Sequence, residues 1–219
     1  MTCCQRQGIE KLFDQKYAKR DLKRYLKKGP GKLTRMLLAA ISPEAAPEKT
    51  LLDIGGGIGV IPQELLKAGL SQATSVEASV AFVSVAKEEA KRQGFLDRIA
   101  IHHGDFVDLA KDIPSADIVT LERVLCCYPD VQALVALSSA RAQKIYALVY
   151  PREWFVTKVG QLLTNLFMRL TRNPFRFYVH STEDVNTLLH NNGFGQISYQ
   201  KTFLWQVVVF QRGIPKSGV

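Results

Sequence analysis

The sequence predicts an α/β fold in which a mostly parallel β-sheet is covered by helices on both faces. Short apolar runs alternate with longer helical patterns from residue 50 to about residue 150, as expected when crossover helices join parallel strands. A cluster of glycines directly follows the first of these runs, at Gly55, Gly56, Gly57 and Gly59. Two further apolar runs lie close together near the C-terminus, which favours an antiparallel hairpin.

The elements of this sheet follow from the pattern in order. The predicted strands are Thr50–Ile54, Ala73–Glu77, Ile99–His103, Ala116–Leu121, Lys144–Tyr150, Gln196–Phe203 and Trp205–Gln211. The predicted helices between them are Val60–Ala68, Ser79–Gln93 and Val131–Ala140. Ser181 is the predicted N-cap of a last helix, because acidic residues follow it in the first turn and Asn192-Gly193 ends the pattern.

The N-terminal region is predicted to be helical and carries most of the excess positive charge. Residues 8–28 are predicted to form one helix, Gly29-Pro30-Gly31 interrupts it, and Lys32–Ile41 follows as a second helix. Residues 1–36 hold eleven Lys and Arg against three acidic residues, a net charge of +8 out of +9 for the chain. Such an arm suits nucleic acid, an anionic membrane surface or an acidic substrate, and a solvated helix face is the simplest alternative.

Composition and cysteine spacing favour a globular protein of a reducing compartment. The chain has 219 residues, of which 47% are hydrophobic and 22% charged. No apolar run approaches the ~18 residues of a membrane span, and the N-terminus lacks a signal-peptide core, so we expect a cytoplasmic location. Because Cys3-Cys4 and Cys126-Cys127 lack C-x-x-C spacing, they predict reduced thiols and no metal; a metal bound by both pairs is the alternative.

The glycine cluster has the spacing of a ligand-binding turn. A buried strand, a glycine turn and a helix start form a nucleotide-binding βα unit. The dinucleotide fingerprint G-x-G-x-x-G fails, because Val60 occupies the third small position. The actual spacing, D-x-G-x-G-x-G from Asp53 to Gly59, resembles the first motif of class I S-adenosylmethionine-dependent methyltransferases. The alternative is a Rossmann-like domain whose glycines only shape the turn.

The resemblance covers roughly residues 50–210 and implies a Rossmann-like methyltransferase sheet with an antiparallel C-terminal hairpin. It implies an N-terminal helical cap over residues 1–48, a catalytic domain over 49–213, and a lid-like insertion at 152–180. S-adenosylmethionine is then the expected cofactor, bound at the carboxyl ends of the strands.

Particular residues match the family motifs. Asp53, Gly55, Gly57 and Gly59 would hold the methionine end of the cofactor. Glu77, at the end of the second strand, would accept hydrogen bonds from the ribose hydroxyls.

Three further positions complete the implied cofactor site. Asp105 would accept a hydrogen bond from the adenine amino group, and Phe106 would flank the adenine ring. Leu121, at the end of the fourth strand, would border the methionine end and the methyl group.

The predicted catalytic residues are Arg123, Tyr128 and His180. Methyl transfer needs alignment of the acceptor and, for a hydroxyl or amine, removal of a proton. A carboxylate acceptor needs only orientation by Arg or Tyr. His180, beside the lid-like segment, is the best candidate for a base. A structural role is the alternative for each of the three.

Residues 151–172 are predicted to form a helix with one apolar face and a basic surround. The main interpretation is a helix that packs over the sheet. The alternative is a lid over a large apolar acceptor, in contact with a membrane surface through residues 152–172. The order of the fifth strand, this helix and Tyr178-Val179-His180 is similar to that in magnesium-protoporphyrin O-methyltransferases, although LERVLCCYPD after the fourth strand departs from that family.

The sequence therefore predicts an S-adenosylmethionine-dependent methyltransferase that acts on a small or medium apolar molecule, at oxygen. The stretch after the fourth strand lacks the Asp/Asn-Pro-Pro-Tyr/Phe motif of amino-group methylation, and no Pro-Cys nucleophile is present, which disfavours nucleobase acceptors. Two rivals stay open: an RNA methyltransferase that uses the basic arm, and a protein that binds the cofactor without turnover.

Overall fold

The computed structural model describes residues 3–44 and 46–213. Its seven strands, β1 to β7, are Thr50–Ile54, Gln72–Glu77, Ile99–His103, Ala116–Glu122, Ala142–Pro151, Phe194–Lys201 and Trp205–Arg212. They form one sheet in the order β3-β2-β1-β4-β5-β7-β6. The first five strands are parallel, and β7 is antiparallel to both β5 and β6. The predicted fold class is confirmed.

Helices lie on both faces of this sheet. The α-helices α1 to α9 are Cys3–Leu12, Gln15–Lys28, Lys32–Ile41, Val60–Lys67, Val80–Arg92, Phe106–Leu109, Val131–Arg141, Phe155–Leu170 and Thr182–Asn191. Short polar side chains cap several of their first turns, as Ser181 does for α9 by accepting a hydrogen bond from the Asp184 N–H at 3.2 Å. No helix within the described ranges has the length and apolar character needed to cross a bilayer.

Alternate residues of the central strands serve two separate cores. Leu52 and Ile54 of β1 pack on one face with α6, α7 and α9. Leu51 of the same strand packs on the other face with α3 and α4. Because both faces are covered, β1 and β4 are buried along nearly their whole length, and most residues of such strands are usually apolar. A polar side chain in such a strand, such as Asp53, is therefore a candidate for a function.

Helix α3 belongs to the layer that covers the sheet. Its Leu37 and Ile41 are fully buried in the core that contains β5 and β7. The boundary predicted at residue 48 therefore does not separate α3 from the sheet. Helix α2 packs elsewhere, with Ala18 and Tyr25 against Ile58 of the glycine turn and Phe82 of α5.

The N-terminal helix predicted over residues 8–28 is wrong in one respect, because the structure has two helices there. Helix α1 ends at Leu12 and α2 begins at Gln15. The carboxylate of Asp14 accepts a hydrogen bond from the Tyr17 N–H at 2.7 Å and so caps the start of α2. The break lets Phe13 turn inward, where its ring meets Phe82 edge-on at 5.8 Å between centroids.

Helix α8 also differs from its prediction. Pro151 belongs to β5, and the helix begins at Phe155. The interpretation that its apolar stripe packs over the sheet is wrong, because that stripe faces solvent. We call the exposed stripe the α8 outer face, and it consists of Phe155, Val159, Leu162, Leu163, Leu166, Phe167 and Leu170, each between 50% and 74% exposed.

Candidate active site

The site lies at the point in the sheet where the order of the strands reverses, between β1 and β4. Strand β1 lies between β2 and β4, so the connections that leave it and enter β4 run to opposite sides. In open α/β sheets the crevice at this point, beyond the carboxyl ends of the strands, is where ligands bind. A cavity of about 480 Å³ opens there, a volume typical of small-molecule sites.

The glycine turn after β1 forms one wall of this cavity. Gly55 and Gly57 have φ angles of 67° and 56°, a region that glycine enters without strain. Gly56 has an ordinary φ, but a Cβ there would collide with Oγ of Ser75 and lie 2.9 Å from Oδ2 of Asp53. The backbone therefore passes directly over two polar side chains, and no larger residue fits.

We expect Gly56→Ala to destabilise the fold by about 1–3 kcal/mol, the usual range for overpacking a filled site. The added methyl group must displace the hydroxyl of Ser75 or the carboxylate of Asp53. Gly160→Ala is the matched control, because nothing lies within 4 Å of a Cβ there, and it should stabilise α8 by about 0.5–1 kcal/mol. Urea unfolding of both variants measures the difference; equal midpoints would contradict the steric account.

Asp53 is a buried carboxyl group at the end of β1. Its Oδ1 accepts a hydrogen bond from the Thr120 hydroxyl at 2.6 Å, across the β1–β4 pairing. Burial raises the pKa of Asp53 to about 8, the charges of Glu122 and Glu77 add to the rise, and the bond from Thr120 opposes it. Asp53 therefore keeps its proton to a higher pH than an exposed aspartate does.

Glu77 joins the glycine turn to the start of α5. Its carboxylate accepts hydrogen bonds from the N–H groups of Gly57 at 2.9 Å and Ser79 at 2.8 Å. Burial raises the pKa of Glu77, while these backbone donors lower it. The side chain lines the cavity, so its oxygens are placed to accept from hydroxyl groups of a ligand.

Asp105 and Tyr128 form a pair deeper in the same cavity. The hydroxyl of Tyr128 lies 3.1 Å from both carboxylate oxygens of Asp105, and Asp105 also accepts from the Val107 N–H at 3.1 Å as the N-cap of α6. Burial and the charge of Asp105 raise the pKa of Tyr128. The hydroxyl therefore orients Asp105, and Phe106 lies beside the pair in the cavity wall.

Arg123 follows β4 in an unusual backbone conformation. Its φ of 61° is left-handed, and its N–H donates to the Val149 carbonyl at 2.7 Å. The guanidinium lies 3.2 Å from the carboxylate of Glu122, which also accepts from the Thr34 hydroxyl at 2.9 Å. Arg123 lines both the large cavity and an adjoining one of about 60 Å³ beside Asp53. A left-handed non-glycine residue at such a place is typical of functional sites.

His180 lies outside the cavity wall. Its Nε2 is 2.9 Å from the carbonyl oxygens of both Leu125 and Tyr128, so it donates to this turn, and its ring stacks on Tyr178 with centroids 5.9 Å apart. The geometry supports a positioning role for His180 in holding the turn after β4. Gly59 and Leu121 likewise contribute nothing to the walls of the two cavities.

Several cavity residues had no recognisable signal in the sequence. They come from α1, α2, α8 and the segment after α8, and comprise Leu12, Tyr17, Arg24, Thr164, Met168, Phe175 and Phe177. Gln5 fixes the arm in place: its Nε2 donates to the carbonyls of Cys127 at 2.9 Å and Arg176 at 3.0 Å. Helical spacing could show that these faces are apolar but not which cavity they line.

The described side chains include no group of three or more His, Cys, Asp or Glu arranged to hold a metal ion. Cys126 and Cys127 are free thiols with their sulfur atoms 3.8 Å apart. The side chains of Cys3 and Cys4 lie outside the described part of the structure, so the predicted alternative of a shared metal is not addressed.

Comparison with known proteins identifies the domain that carries this site. A family model described as a methyltransferase domain matches residues 52–139, the stretch that holds Asp53, Glu77, Asp105 and Tyr128. Residues 52–139 form a methyltransferase domain, and the fold is that of class I methyltransferases. The resemblance predicted from DIGGGIG is thereby confirmed, and S-adenosylmethionine is the cofactor of this domain.

Curated relatives match this methyltransferase domain over short stretches only. Protein arginine N-methyltransferase 1.1 of Arabidopsis thaliana is 32% identical over 75 residues, 34% of this chain and 19% of that protein. Ribosomal protein L11 methyltransferase of Alteromonas mediterranea is 28% identical over 103 residues, 44% of this chain and 35% of that protein. The chain therefore spans about a fifth to a third of the length of these relatives.

Solved methyltransferase structures match over nearly the whole chain. Magnesium protoporphyrin IX methyltransferase from Synechocystis PCC 6803, with bound S-adenosylhomocysteine, has a TM-score of 0.72 and 18% identity, over 93% of this chain and 98% of that chain. Geranyl diphosphate C-methyltransferase from Streptomyces coelicolor A3(2) has a TM-score of 0.66 and 13% identity, over 90% and 83% of the two chains. At these identities the likeness establishes the fold.

Proposed function

We propose that the protein transfers a methyl group from S-adenosylmethionine to a carboxylate oxygen of a small or medium, mainly apolar molecule. The observation that carries this proposal is the shared cavity of about 480 Å³. One side of it is formed by the glycine turn, Glu77 and Asp105; the other is formed by apolar side chains such as Leu12, Phe175 and Phe177. A cofactor and an apolar acceptor can therefore meet in one cavity.

The residues of the first side fit the cofactor. Gly55 and Gly57 line the cavity without a side chain, so a ligand can approach the backbone there. Glu77 offers a carboxylate to the ribose hydroxyls, and Asp105, held by Tyr128, offers one to the adenine amino group. Arg24 of α2, paired with Asp21 at 2.7 Å, lines both cavities and offers a positive charge to the methionine carboxylate.

The composition of the cavity wall favours a carboxylate acceptor. Among the described residues that line it, none is a histidine or lysine. The carboxylates of Asp21 and Glu122 in the same wall are paired with Arg24 and Arg123, which makes them weaker bases for a hydroxyl or amine. Arg123 provides a cation at the carboxyl end of β4 and would orient an anionic oxygen. When bound, S-adenosylmethionine supplies a sulfonium methyl carbon, to which the acceptor oxygen bonds as the carbon–sulfur bond breaks and sulfur keeps the electron pair.

The apolar walls support this step by excluding water. A carboxylate and a sulfonium are both charged, and their products, a methyl ester and a thioether, are neutral. A site that binds the two charges with few waters therefore favours the reaction in which they disappear. The name of the structural neighbour from Synechocystis refers to a protoporphyrin, which supports a porphyrin carboxylate of medium size as one acceptor, by analogy of fold only.

The test is transfer of radiolabelled methyl to apolar carboxylic acids and to the corresponding alcohols by the full chain. We expect label in a product that mild alkali releases, as methyl esters require, and none in the alcohols. Arg123→Gln should lower kcat/KM at least about tenfold with cofactor affinity unchanged, since it removes one charge-assisted contact. Label that enters only alcohols, or resists alkali, would overturn the carboxylate assignment.

Two rival functions make different predictions. The basic arm supports an RNA methyltransferase, for which binding should weaken steeply as salt rises; transfer to an apolar acid should vary little. A protein without turnover would bind S-adenosylmethionine in calorimetry but label no acceptor. The proposed compartment is the cytoplasm, which the free thiols of Cys126 and Cys127 support because such thiols persist under reducing conditions.

A further inference from the structure

The α8 outer face is a continuous apolar surface on the outside of the molecule. Its seven large side chains recur at helical spacing, and each is at least half exposed. The surface extends beyond the helix to Phe203, which is 67% exposed and whose ring meets Trp154 edge-on at 5.0 Å between centroids. Exposed apolar surfaces of this continuity mark sites of interaction with a protein or a membrane.

The charges around this surface select between those two partners. Lys158, Arg169 and Arg172 are exposed beside it, and α8 itself contains no acidic residue. Glu153, just before the helix, pairs with Lys158 at 3.0 Å. A second copy docked on this face would bring like charges together, because an isologous interface repeats the same surface. An apolar helix face flanked by cations instead matches an anionic lipid surface.

The opposite side of the same helix lines the cavity. Thr164 and Met168 form part of its wall. The amide of Asn165 holds the helix to the segment behind it by donating to the Phe177 carbonyl at 2.9 Å and accepting from the Phe177 N–H at 2.8 Å. A single helix therefore separates the cavity from the exposed apolar surface.

We propose that the α8 outer face docks the protein on an anionic lipid bilayer, and that the acceptor is an amphiphile taken from that bilayer. The second clause rests on the proposed function, whereas docking stands on the surface itself. Leucine and phenylalanine side chains would enter the boundary between headgroups and acyl chains, and the three cations would lie at headgroup level. The cavity would then lie one helix away from the lipid that dissolves the apolar acceptor.

The test is co-sedimentation of the full chain with vesicles of phosphatidylcholine, with and without phosphatidylglycerol. We expect binding to the anionic vesicles that is at least tenfold stronger than to the neutral ones. The double variant Leu162→Asp/Leu166→Asp should lose at least tenfold of that binding. The control is Leu96→Asp, because Leu96 is 46% exposed in the turn before β3, at the amino ends of the strands, and it should bind as the wild type does.

Two outcomes would overturn docking. In the first, the double variant and the wild type pellet equally with the anionic vesicles. In the second, neither protein pellets with vesicles, and gel filtration shows a dimer of the wild type that the double variant does not form. Calorimetry with S-adenosylmethionine and transfer to a water-soluble aromatic acid are run on the same samples. A wild-type protein that transfers methyl but does not pellet with the anionic vesicles would refute this proposal alone. Docking without any transfer would refute the proposed function and leave the surface assignment standing.

Discussion

Glu77→Ala is expected to raise the Kd for S-adenosylmethionine at least about 100-fold. Hydrogen bonds to a charged group contribute about 1.5–3 kcal/mol each, and two ribose hydroxyls would lose their acceptor, so a loss of roughly 3 kcal/mol corresponds to that factor. The variant also frees the N–H groups of Gly57 and Ser79, which Glu77 now holds at 2.9 and 2.8 Å. Isothermal titration calorimetry on the purified chain measures the change.

Two further variants define the cause of this loss. Glu88→Ala changes an exposed carboxylate on α5 and should leave the Kd unaltered. Glu77→Gln keeps an acceptor oxygen without the charge and should fall between the wild type and Glu77→Ala. Wild-type affinity in Glu77→Ala, with its circular dichroism unchanged, would remove Glu77 from the cofactor site.

The free energy of unfolding of the wild type is expected to fall as the pH rises from 5 to 9, and Asp53→Asn is expected to abolish that fall. Burial raises the pKa of Asp53 from 3.8 to about 8, so the folded chain holds a proton that the unfolded chain has released between these values. Stability from this group is therefore full below about pH 4 and decreases as pH rises towards 8. The loss in the free energy of unfolding is on the order of several kcal/mol, at about 1.4 kcal/mol for each pH unit between the two pKa values. Urea unfolding without cofactor at pH 5 and pH 9 measures it.

Asp117→Asn provides the control of opposite sign. Burial tends to raise the pKa of Asp117, but hydrogen bonds from the Thr50 N–H and from Lys49 outweigh it and lower the pKa. Its stabilising effect is therefore already complete by pH 5 and is lost only in acid. The difference between Asp117→Asn and the wild type should be the same at pH 5 and pH 9. A wild-type stability that is equal at the two pH values, with Asp53→Asn matching it, would show that Asp53 is ionised.

The sheet, and the meeting of Glu77 and Asp105 with the glycine turn in one cavity, could be predicted because their signals are local. The glycine spacing after Asp53 occupies a few consecutive residues, and the register of parallel strands then brings the ends of β1, β2 and β3 to one edge. Glu77 and Asp105 follow from that geometry. The break at Phe13 was missed, although Asp14 carries the usual signal of an N-cap.

The acceptor side could not be predicted because it depends on contacts between distant parts of the chain. The hydrogen bond from His180 to the Leu125 carbonyl joins residues 55 positions apart. Because of that bond, the imidazole ring holds the turn after β4 and lies outside the cavity wall. The apolar stripe of α8 was visible, but periodicity does not say what covers it. The side chains from α1 and α2 that line the cavity have the same limitation.

The contacts of Gln5 have a consequence for the exchange of spent cofactor. This side chain joins the N-terminal arm to Cys127 and Arg176, and Ser79 holds the same arm by donating to the Phe13 carbonyl at 2.7 Å. Ile9, Leu12 and Phe13 of this arm line the large cavity, so these bonds hold one of its walls in place. We expect that release of S-adenosylhomocysteine from the proposed site requires these bonds to open, and that this opening limits the rate of repeated cycles.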